Sequence, residues 1–399
     1  MSYENNNIAK LLDMEDVIVK KVENFETELH IYMELPRKEH ICPRCGCVTD
    51  EVHDYRTQKV KHISLGKTTY LNLRKRRYTC SDCGKRFAEK NPYIARYYRL
   101  TKRCVVSIIE QLESTISSSK VAKDHNVSVT SVLRYFKPVQ HPCTELPTVL
   151  SIDEFKGDTN GEKYQTILTD AENKKVLNVL SDRTEQHLKE YFLGFKNRNT
   201  VRFFVCDMNR HFYSVAKACF PNAEIVVDRY HVSRQVIWAM EAVRKSEQKK
   251  LSKFFRKYCK HSKSLLHKKH LSEEDKICLA TIFEIAPRLA KAYYLKNKFL
   301  EIMHTKNDPD AAKKKLSDWI MEAESFAFAE KRNPLALPEF KACITAYHNW
   351  FAEILNSLNV SYSNGFTEGC NNKIKVLKRN CFGFRNFENF RARILHCFS

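Results

Sequence analysis

The sequence has no long apolar segment and is short of acidic residues. No run approaches the ~18 apolar residues that a membrane-spanning helix needs, which excludes an integral membrane protein. The segment MSYENNNIAKLLDMEDVIVK has no apolar core behind a basic head, so we expect no secretory signal and a cytosolic protein. Apolar residues make up 43% of the sequence, which excludes disorder of the whole chain. Its length of 399 residues predicts two to three domains.

The shortage of acids leaves a strongly basic chain. Lys and Arg number 68 against 47 Asp and Glu, a formal net charge of +21. This favours a polyanionic partner, which could be DNA, RNA or an anionic membrane surface. The surplus is concentrated in residues 40–103, 244–270 and 373–393. Three basic runs in different elements are better explained by one long polyanion than by three solvated faces.

Two cysteine pairs, Cys42-x-x-Cys45 and Cys80-x-x-Cys83, predict a zinc site of four thiolates. Strand-like stretches lie before and between the pairs, and Pro43, Gly46 and Gly84 suit the tight turns of zinc knuckles. An iron–sulfur site or two chance pairs are the alternatives, and Cys47 and His53 are nearby spare ligands. We read the other cysteines as small apolar residues, because a cytosolic chain keeps its thiols reduced.

A helical pattern over residues 101–117 is followed by SSSKVAKDHNVSVTSVLRYF, which resembles a helix-turn-helix. Asn126 would form the turn, and Ser128 would cap a second helix that enters the major groove. The candidate DNA contacts of this motif are Lys120, Ser128, Thr130, Ser131 and Arg134. An ordinary helical hairpin is the alternative. Prolines at 138, 142 and 147 then indicate a linker.

The third region predicts the order β-β-β-α-β-α-β-α, which is that of a ribonuclease-H-like core. We therefore expect an α/β fold with a helical insertion at about 235–355, preceded by a zinc-binding domain and a helix-turn-helix. The predicted domains are residues 1–100, 101–142 and 148–399.

Asp153 and Asp207 follow the apolar strands of TVLSI and VRFFVC, and Glu368 lies near a later helix start. Carboxylates at the ends of neighbouring strands converge, and they are the ligands that Mg²⁺ or Mn²⁺ prefers. A two-metal site for phosphodiester cleavage could be built from them. Each Asp taken singly is better explained as a turn or cap residue. The site is favoured because both acids directly follow apolar strands, where a charge without a partner is poorly tolerated.

Asp228 and His231 in VVDRYHV form a second cluster at the next strand end. His231 could donate a hydrogen bond to the scissile phosphate or to a catalytic carboxylate. The alternative is a helix N-cap Asp and a satisfied His. We interpret Asp170 and Asp182 as turn residues.

At this point the chain resembles a bacterial insertion-sequence transposase of the DDE class, in the ISL-three family. The resemblance rests on HICPRCG, YTCSDCGKRF, SIDEFK, CDMN, VVDRYHV and, above all, NGFTEGCNNKIKVLKRNCFGFRNFENFRARI. It implies that Asp153, Asp207 and Glu368 are the catalytic, Mg²⁺- or Mn²⁺-binding acids.

The resemblance also implies binding to the terminal inverted repeats, metal-dependent DNA cleavage, and attack of the freed 3′-hydroxyl on target DNA. Lys373, Lys375, Lys378 and Arg379 would hold phosphates of double-stranded DNA. A homo-oligomer such as a dimer, and a place in the bacterial nucleoid, are expected from the class.

Three alternatives compete with this reading. A DNA-binding regulator that has lost catalysis predicts damaged acids, whereas all three are present. A junction resolvase or RNA–DNA hybrid nuclease would not need a zinc finger and a helix-turn-helix. A basic scaffold protein would leave the acids at the strand ends unexplained.

Overall fold

The computed structural model describes residues 2–14, 16–94, 98–139, 141–304, 308–330 and 332–399, a mixed α/β chain. It divides into two compact units. The first comprises Met1–His141, Val376–Phe384 and Glu388–Ser399, and the second comprises Pro142–Lys375 and Arg385–Phe387. Among the described residues, no helix is both long and apolar enough to cross a membrane.

The first unit begins with a helix and a β-rich region. The elements are α1 (Ser2–Leu11), β1 (Ile18–Asn24), β2 (Glu28–Glu34), β3 (His40–Ile41), β4 (Val48–Thr49), β5 (Val52–Lys61), β6 (Thr68–Thr79) and β7 (Arg86–Ala88). Five of the strands form a sheet of order β1-β2-β6-β5, with β7 paired to β6. Alternating side chains such as Ile31, Met33, Leu71 and Leu73 bury one face of the sheet in a core that includes Ala9 of α1.

Three short helices follow in this unit: α2 (Lys102–Gln111), α3 (Ser118–Asp124) and α4 (Val129–Phe136). The prediction of one helix over 101–117 was wrong at its end, because α2 ends at Gln111 and Ser117 is already the N-cap of α3, where its side chain accepts a hydrogen bond from the Lys120 N–H. Asn126 has φ +50° in the turn, and Ser128 caps α4, as predicted. Val121, Val132 and Phe136 form the small core of these helices.

The second unit has the order of elements that the sequence predicts: β8 (Val149–Thr159), β9 (Glu162–Asp170), β10 (Lys175–Leu180), α5 (Glu185–Leu193), β11 (Phe203–Cys206), α6 (Arg210–Cys219), β12 (Glu224–Val227) and α7 (Arg229–Lys250). Its strands form a five-stranded sheet of order β10-β9-β8-β11-β12. Strands β8, β11 and β12 are parallel, and β9 is antiparallel to β8 and β10.

One strand boundary differs from the prediction. Strand β8 does not end at Asp153 but continues to Thr159, because residues 154–159 keep pairing with β9 up to the turn at Asn160 and Gly161. Both turn residues have positive φ, +51° and +83°, as a tight hairpin requires. Asp153 therefore lies inside a strand.

The predicted helical region is also present, and it surrounds a core that includes Phe299, Trp319 and Tyr347. After α7 it consists of α8 (Lys253–His261), α9 (Glu273–Ile285), α10 (Pro287–His304), α11 (Pro309–Ala327), α12 (Lys341–Asn349) and α13 (Phe351–Asn359). Single 3-10 turns occur at Arg198–Thr200, Lys263–His267 and Pro338–Phe340.

The last helices are α14 (Gly365–Asn380) and α15 (Phe387–Cys397). Most of α15 belongs to the first unit, where the buried Arg393 donates hydrogen bonds to the carbonyls of Ser114 and Ile116, 3.1 and 2.7 Å away. His396 lies 2.9 Å from the carbonyl oxygen of Ile109. The two units thus divide the chain differently from the predicted domain boundaries, which stay predictions.

Candidate functional site

The four predicted cysteines come together at two knuckles of the first unit. Their Sγ atoms all lie within 4.8 Å of one another, with 3.6 Å between Cys42 and Cys83 and 3.5 Å between Cys45 and Cys80. A tetrahedral zinc ion with Zn–S bonds of about 2.3 Å would set these separations at about 3.8 Å. The donor set therefore fits zinc closely.

Glycine makes both knuckles possible. Gly46 and Gly84 have φ of +79° and +65°, and their N–H groups donate to the carbonyls of Cys42 and Cys80. A residue with a side chain would be strained at either position. The spare candidates Cys47 and His53 are not members of the four-cysteine group.

In the second unit, a cluster of acids lies around β8, β11, β12 and the start of α14. Asp207 directly follows β11, Asp228 directly follows β12, and Glu368 lies in the first turn of α14. Together with Asp153 on β8 and with His231, they are named here the carboxylate cluster. Parallel strands bring their carboxyl ends to one edge of a sheet, which is why β11 and β12 deliver these acids side by side.

Burial and mutual repulsion dominate the electrostatics of two of these acids. Asp153 is only 8% exposed, and burial, reinforced by the Asp207 carboxylate, raises its pKa to about 7. Burial, followed by the charge of Asp228, raises the pKa of Glu368 above its usual range. A divalent cation among these side chains would favour their charged forms and reverse both shifts.

His231 supplies positive charge between two acids. Its Nδ1 lies 2.7 Å from Asp207 Oδ1 and 3.6 Å from Asp228 Oδ1. Burial alone would lower the pKa of His231, but these carboxylates outweigh it and raise the pKa to about 9. The imidazole is therefore charged at neutral pH and forms an ion pair with Asp207.

Asp228 is the N-cap of α7, which is the alternative role that the sequence analysis left open for it. Its Oδ1 accepts hydrogen bonds from the N–H groups of Tyr230 and His231 at the start of α7, and its Oδ2 accepts from the Asn364 N–H at 2.9 Å. Burial alone would raise the pKa of Asp228, but the hydrogen bonds from His231 and Asn364 hold it below the usual range. Asp170 and Asp182 accept hydrogen bonds from backbone N–H groups within turns, as predicted.

The three predicted metal ligands do not form one close group. Among the described residues, the acidic group whose ligand atoms all lie within 4.8 Å of one another is Asp228, His231 and Glu368, and it lacks Asp153 and Asp207. Asp153 and Asp207 are nonetheless near enough for the charge of one to act on the other. A metal ion bound by Asp207 Oδ1 would have to displace His231 from this oxygen.

Sequence reasoning missed the residues that attach α14 to the sheet. Asn371 donates to Asp153 Oδ2 at 2.8 Å, and the Asn364 side chain reaches Asp207 Oδ1 at 3.4 Å. The Thr367 hydroxyl lies 3.0 Å from Ser151 Oγ and 2.7 Å from Thr169 Oγ1, all fully buried. A signal existed: positions 364, 367, 368 and 371 form a polar stripe at helical spacing.

The predicted DNA contacts lie mostly on the surface. Thr130 and Arg134 are exposed on α4, Ser128 and Ser131 share a hydrogen bond at its start, and Lys120 pairs with Asp124. On α14, Lys373, Lys375 and Arg379 are exposed, and Lys378 is half-buried. Part of the basic run at 244–270 has a structural use, because the buried Arg244 pairs with Glu241.

Comparison with known proteins gives two family matches and two relatives. A DDE-type family model described as a transposase matches residues 150–394, and one described as the zinc-finger of transposases IS204/IS1001/IS1096/IS1165 matches residues 38–83. The chain is 26% identical over 385 residues to the transposase for insertion sequence element IS1001 of Bordetella parapertussis, covering 93% of this chain and 91% of that protein.

The second relative is similar over a short segment only. A protein of Lactococcus lactis subsp. lactis named ATP-dependent protease is 42% identical over 78 residues, which is 19% of this chain and 25% of that protein. A match of this extent carries no conclusion about the function of the whole chain.

Proposed function

Because the chain belongs to the ISL-three family of DDE transposases, we propose that it binds the terminal inverted repeats of an insertion sequence and catalyses metal-dependent DNA cleavage and strand transfer. The second unit would be a ribonuclease-H-like catalytic core with a helical insertion. The observation that carries the proposal is the attachment of α14 to the sheet. Asn371 of α14 contacts Asp153, and Asn364, directly before the helix, contacts Asp207.

In this proposal Asp153, Asp207 and Glu368 hold Mg²⁺ or Mn²⁺. Two such ions would activate the attacking oxygen and stabilise the leaving oxygen of an in-line displacement. The buried Asp153 carboxylate supports a cation site, since a buried charge is costly without a compensating partner, and the nearby half-buried Glu368 also has a raised pKa. His231 would neutralise Asp207 before the metal binds, and Asp228 would fix the start of α7 beside the reacting phosphate.

We propose that the first unit recognises the DNA ends. Helices α3 and α4 would act as a helix-turn-helix, with Thr130, Ser131 and Arg134 reaching base edges and with Lys120 and Ser128 on the phosphates. The zinc ribbon would hold the basic β-rich region in shape, and Lys373, Lys375, Lys378 and Arg379 would bind phosphates beyond the cut. We further propose that the protein forms a homo-oligomer that pairs two DNA ends and that it works in the bacterial nucleoid.

Cleavage of a labelled duplex that carries the element's own end tests the proposal. The wild type, Asp207→Ala and Asp318→Ala, which changes an exposed acid on α11, would be compared with Mg²⁺, Mn²⁺ or EDTA. We expect metal-dependent cutting at the end by the wild type and Asp318→Ala, and none by Asp207→Ala. Tight binding without cutting by any protein in either metal would instead favour a DNA-binding regulator.

A further inference from the structure

A cavity lies in the first unit between strand β5 and the start of helix α4. Its volume is about 810 Å³, in the range of sites that hold small organic ligands. Its lining includes three cationic side chains and two hydroxyl groups, those of Lys59, Lys61, Arg99, Ser128 and Ser131. Among the residues that the structure describes, none that lines it is acidic. This cavity, named here the basic cavity, is therefore suited to an anionic ligand.

The cations of the basic cavity are held in place without being neutralised. The Lys61 N–H donates to the Arg99 carbonyl at 2.9 Å, which fixes the two backbones side by side. Lys59 Nζ lies 3.7 Å from the centre of the Tyr70 ring, and a ring face restrains an ammonium group without occupying its N–H donors. Glu28, which does not line the cavity, lies 3.9 Å from Lys59 Nζ, and both side chains are exposed enough for this pair to be weak.

The basic cavity joins the sheet to the pair of helices α3 and α4. Lys61 Nζ donates to the Asn126 carbonyl, and Asn126 Nδ2 donates to Thr68 Oγ1 on β6 at 3.0 Å. Both contacts are made by the turn between the two helices, so they hold that turn against the sheet at its β5 edge. A ligand in the cavity would therefore touch the β-rich region and the start of α4 at once.

The start of α4 adds to the field of the cations. Ser128 is the N-cap of this helix, and its hydroxyl lies 2.9 Å from Ser131 Oγ. The N–H groups in the first turn of a helix carry partial positive charge, and phosphate oxygens accept hydrogen bonds from such groups and from hydroxyls. Cations from the sheet and donors from the helix thus face the same space.

We propose that the basic cavity binds one backbone phosphate of the DNA end, on the strand that flanks the groove entered by α4, with Lys59 and Arg99 as its cationic partners. This inference rests on the proposed function and extends it, because it makes the β-rich region a direct DNA contact. The planar fork of Arg99 suits a phosphate. A phosphate contact carries no sequence information, so its effect is to fix the orientation of α4 on the duplex.

Replacement of single phosphates tests the contact. The affinity of the zinc-loaded, full-length protein for the end duplex is measured without Mg²⁺ or Mn²⁺, so that nothing is cut. Duplexes with one uncharged methylphosphonate at successive positions are compared for the wild type and for the double variant Lys59→Gln with Arg99→Gln. At one position the methylphosphonate should weaken binding of the wild type and cause no further loss in the double variant.

Two magnitudes are expected on the unmodified duplex. The double variant should bind about ten-fold more weakly than the wild type, as for the loss of a hydrogen bond to a charged group. Its slope of log affinity against log salt should be smaller by about 0.9, the value for one phosphate contact. A duplex of random sequence should lose the same factor, whereas Arg134→Ala should weaken the end duplex more than the random one.

Two controls separate the contact from general charge and from folding. Lys20→Gln changes an exposed lysine on β1, at the opposite edge of the sheet from β5, and should leave affinity and salt slope unchanged. Lys61 is kept in every variant because it holds the turn at Asn126. Urea denaturation should give the double variant the same free energy of unfolding as the wild type.

Losses that add at every methylphosphonate position, or an unchanged affinity and salt slope of the double variant, would overturn the proposal for the basic cavity. So would a loss confined to the end duplex, which would assign these cations to base recognition. The proposed catalysis fails separately: a wild type that binds but does not cut when Mg²⁺ is added overturns it and leaves the phosphate contact measurable. A wild type that binds no DNA overturns both.

Discussion

Thr367→Val removes one hydroxyl from the buried junction between α14 and the central strands. The Thr367 hydroxyl contacts Ser151 on β8 and Thr169 on β9, and Ser151 also bonds the Asn364 side chain. Valine has nearly the same shape, so the change deletes the polar contacts without opening a cavity. Glu368 is the next residue, and it depends on this junction for its position.

The expected cost follows from the two contacts. A buried hydrogen bond contributes about 0.5–1.5 kcal/mol net, and a hydroxyl left without its partner adds a desolvation penalty. We therefore expect the free energy of unfolding to fall by about 2–3 kcal/mol. A small displacement of Glu368 should slow end cleavage on the order of ten- to hundred-fold, because catalysis is sensitive to ångström-scale misplacement.

Urea denaturation and cleavage of the end duplex measure the two effects, with Thr144→Val at an exposed position of the same unit as the control. Affinity for the end should be unchanged. Combining Thr367→Val with Ser151→Ala should cost less than the sum of the single changes, since both act on one network. A Thr367→Val protein as stable and as active as Thr144→Val would refute the junction's role.

Three further predictions concern the first unit. Chelation of zinc or Cys80→Ser should unfold the β-rich region, which limited proteolysis detects, and abolish binding to the DNA end, which a gel shift detects. The control Cys47→Ser, outside the four-cysteine group, should keep both the fold of this region and the binding. Arg393→Met should lower the free energy of unfolding, measured by urea denaturation, by about 2–3 kcal/mol, because it leaves the carbonyls of Ser114 and Ile116 without a charged donor. The control Arg391→Met, at a more exposed position of α15, should lower it by less than about 1 kcal/mol. Burial lowers the pKa of His62 from 6.5 to about 4. As pH falls, residue 62 therefore binds a proton in the unfolded chain before it does so in the folded chain, and stability is lost between about pH 6.5 and 4. Between pH 7.5 and 5.5 the wild type should lose about 1 kcal/mol more than His62→Gln, and equal losses would contradict the assignment.

The sequence was sufficient for features that depend on local pattern. The order of strands and helices along the second unit, the helical region and the turn at Asn126 follow from periodicity and turn chemistry, and the structure has each of them. The four-cysteine group followed from spacing alone. Each of these signals lies within a short window of the chain, where side-chain period and capping decide the conformation.

Features that depend on distant parts of the chain were missed. The packing of α15 with α2 in the first unit joins residues almost 300 positions apart, and no local pattern indicates it. The end of β8 was misplaced because its last residues are held by pairing with β9 and not by their own apolar pattern. The close group at Glu368 contains Asp228 and His231 and lacks Asp153 and Asp207. Its membership depends on how β12, α7 and α14 are placed in space, which no local pattern indicates.

We propose that a divalent metal binds at Asp153, Asp207 and Glu368, and iron-directed cleavage of the protein tests this most directly. Fe²⁺ in place of Mg²⁺, with ascorbate and peroxide, produces hydroxyl radicals that cut the backbone close to the bound ion, and mass spectrometry locates the cuts in the zinc-loaded protein. We expect cuts near residues 153, 207 and 368 that excess Mg²⁺ suppresses and that Asp207→Ala abolishes. Cuts confined to other parts of the chain, or cuts at these residues that neither Mg²⁺ nor Asp207→Ala affects, would contradict it.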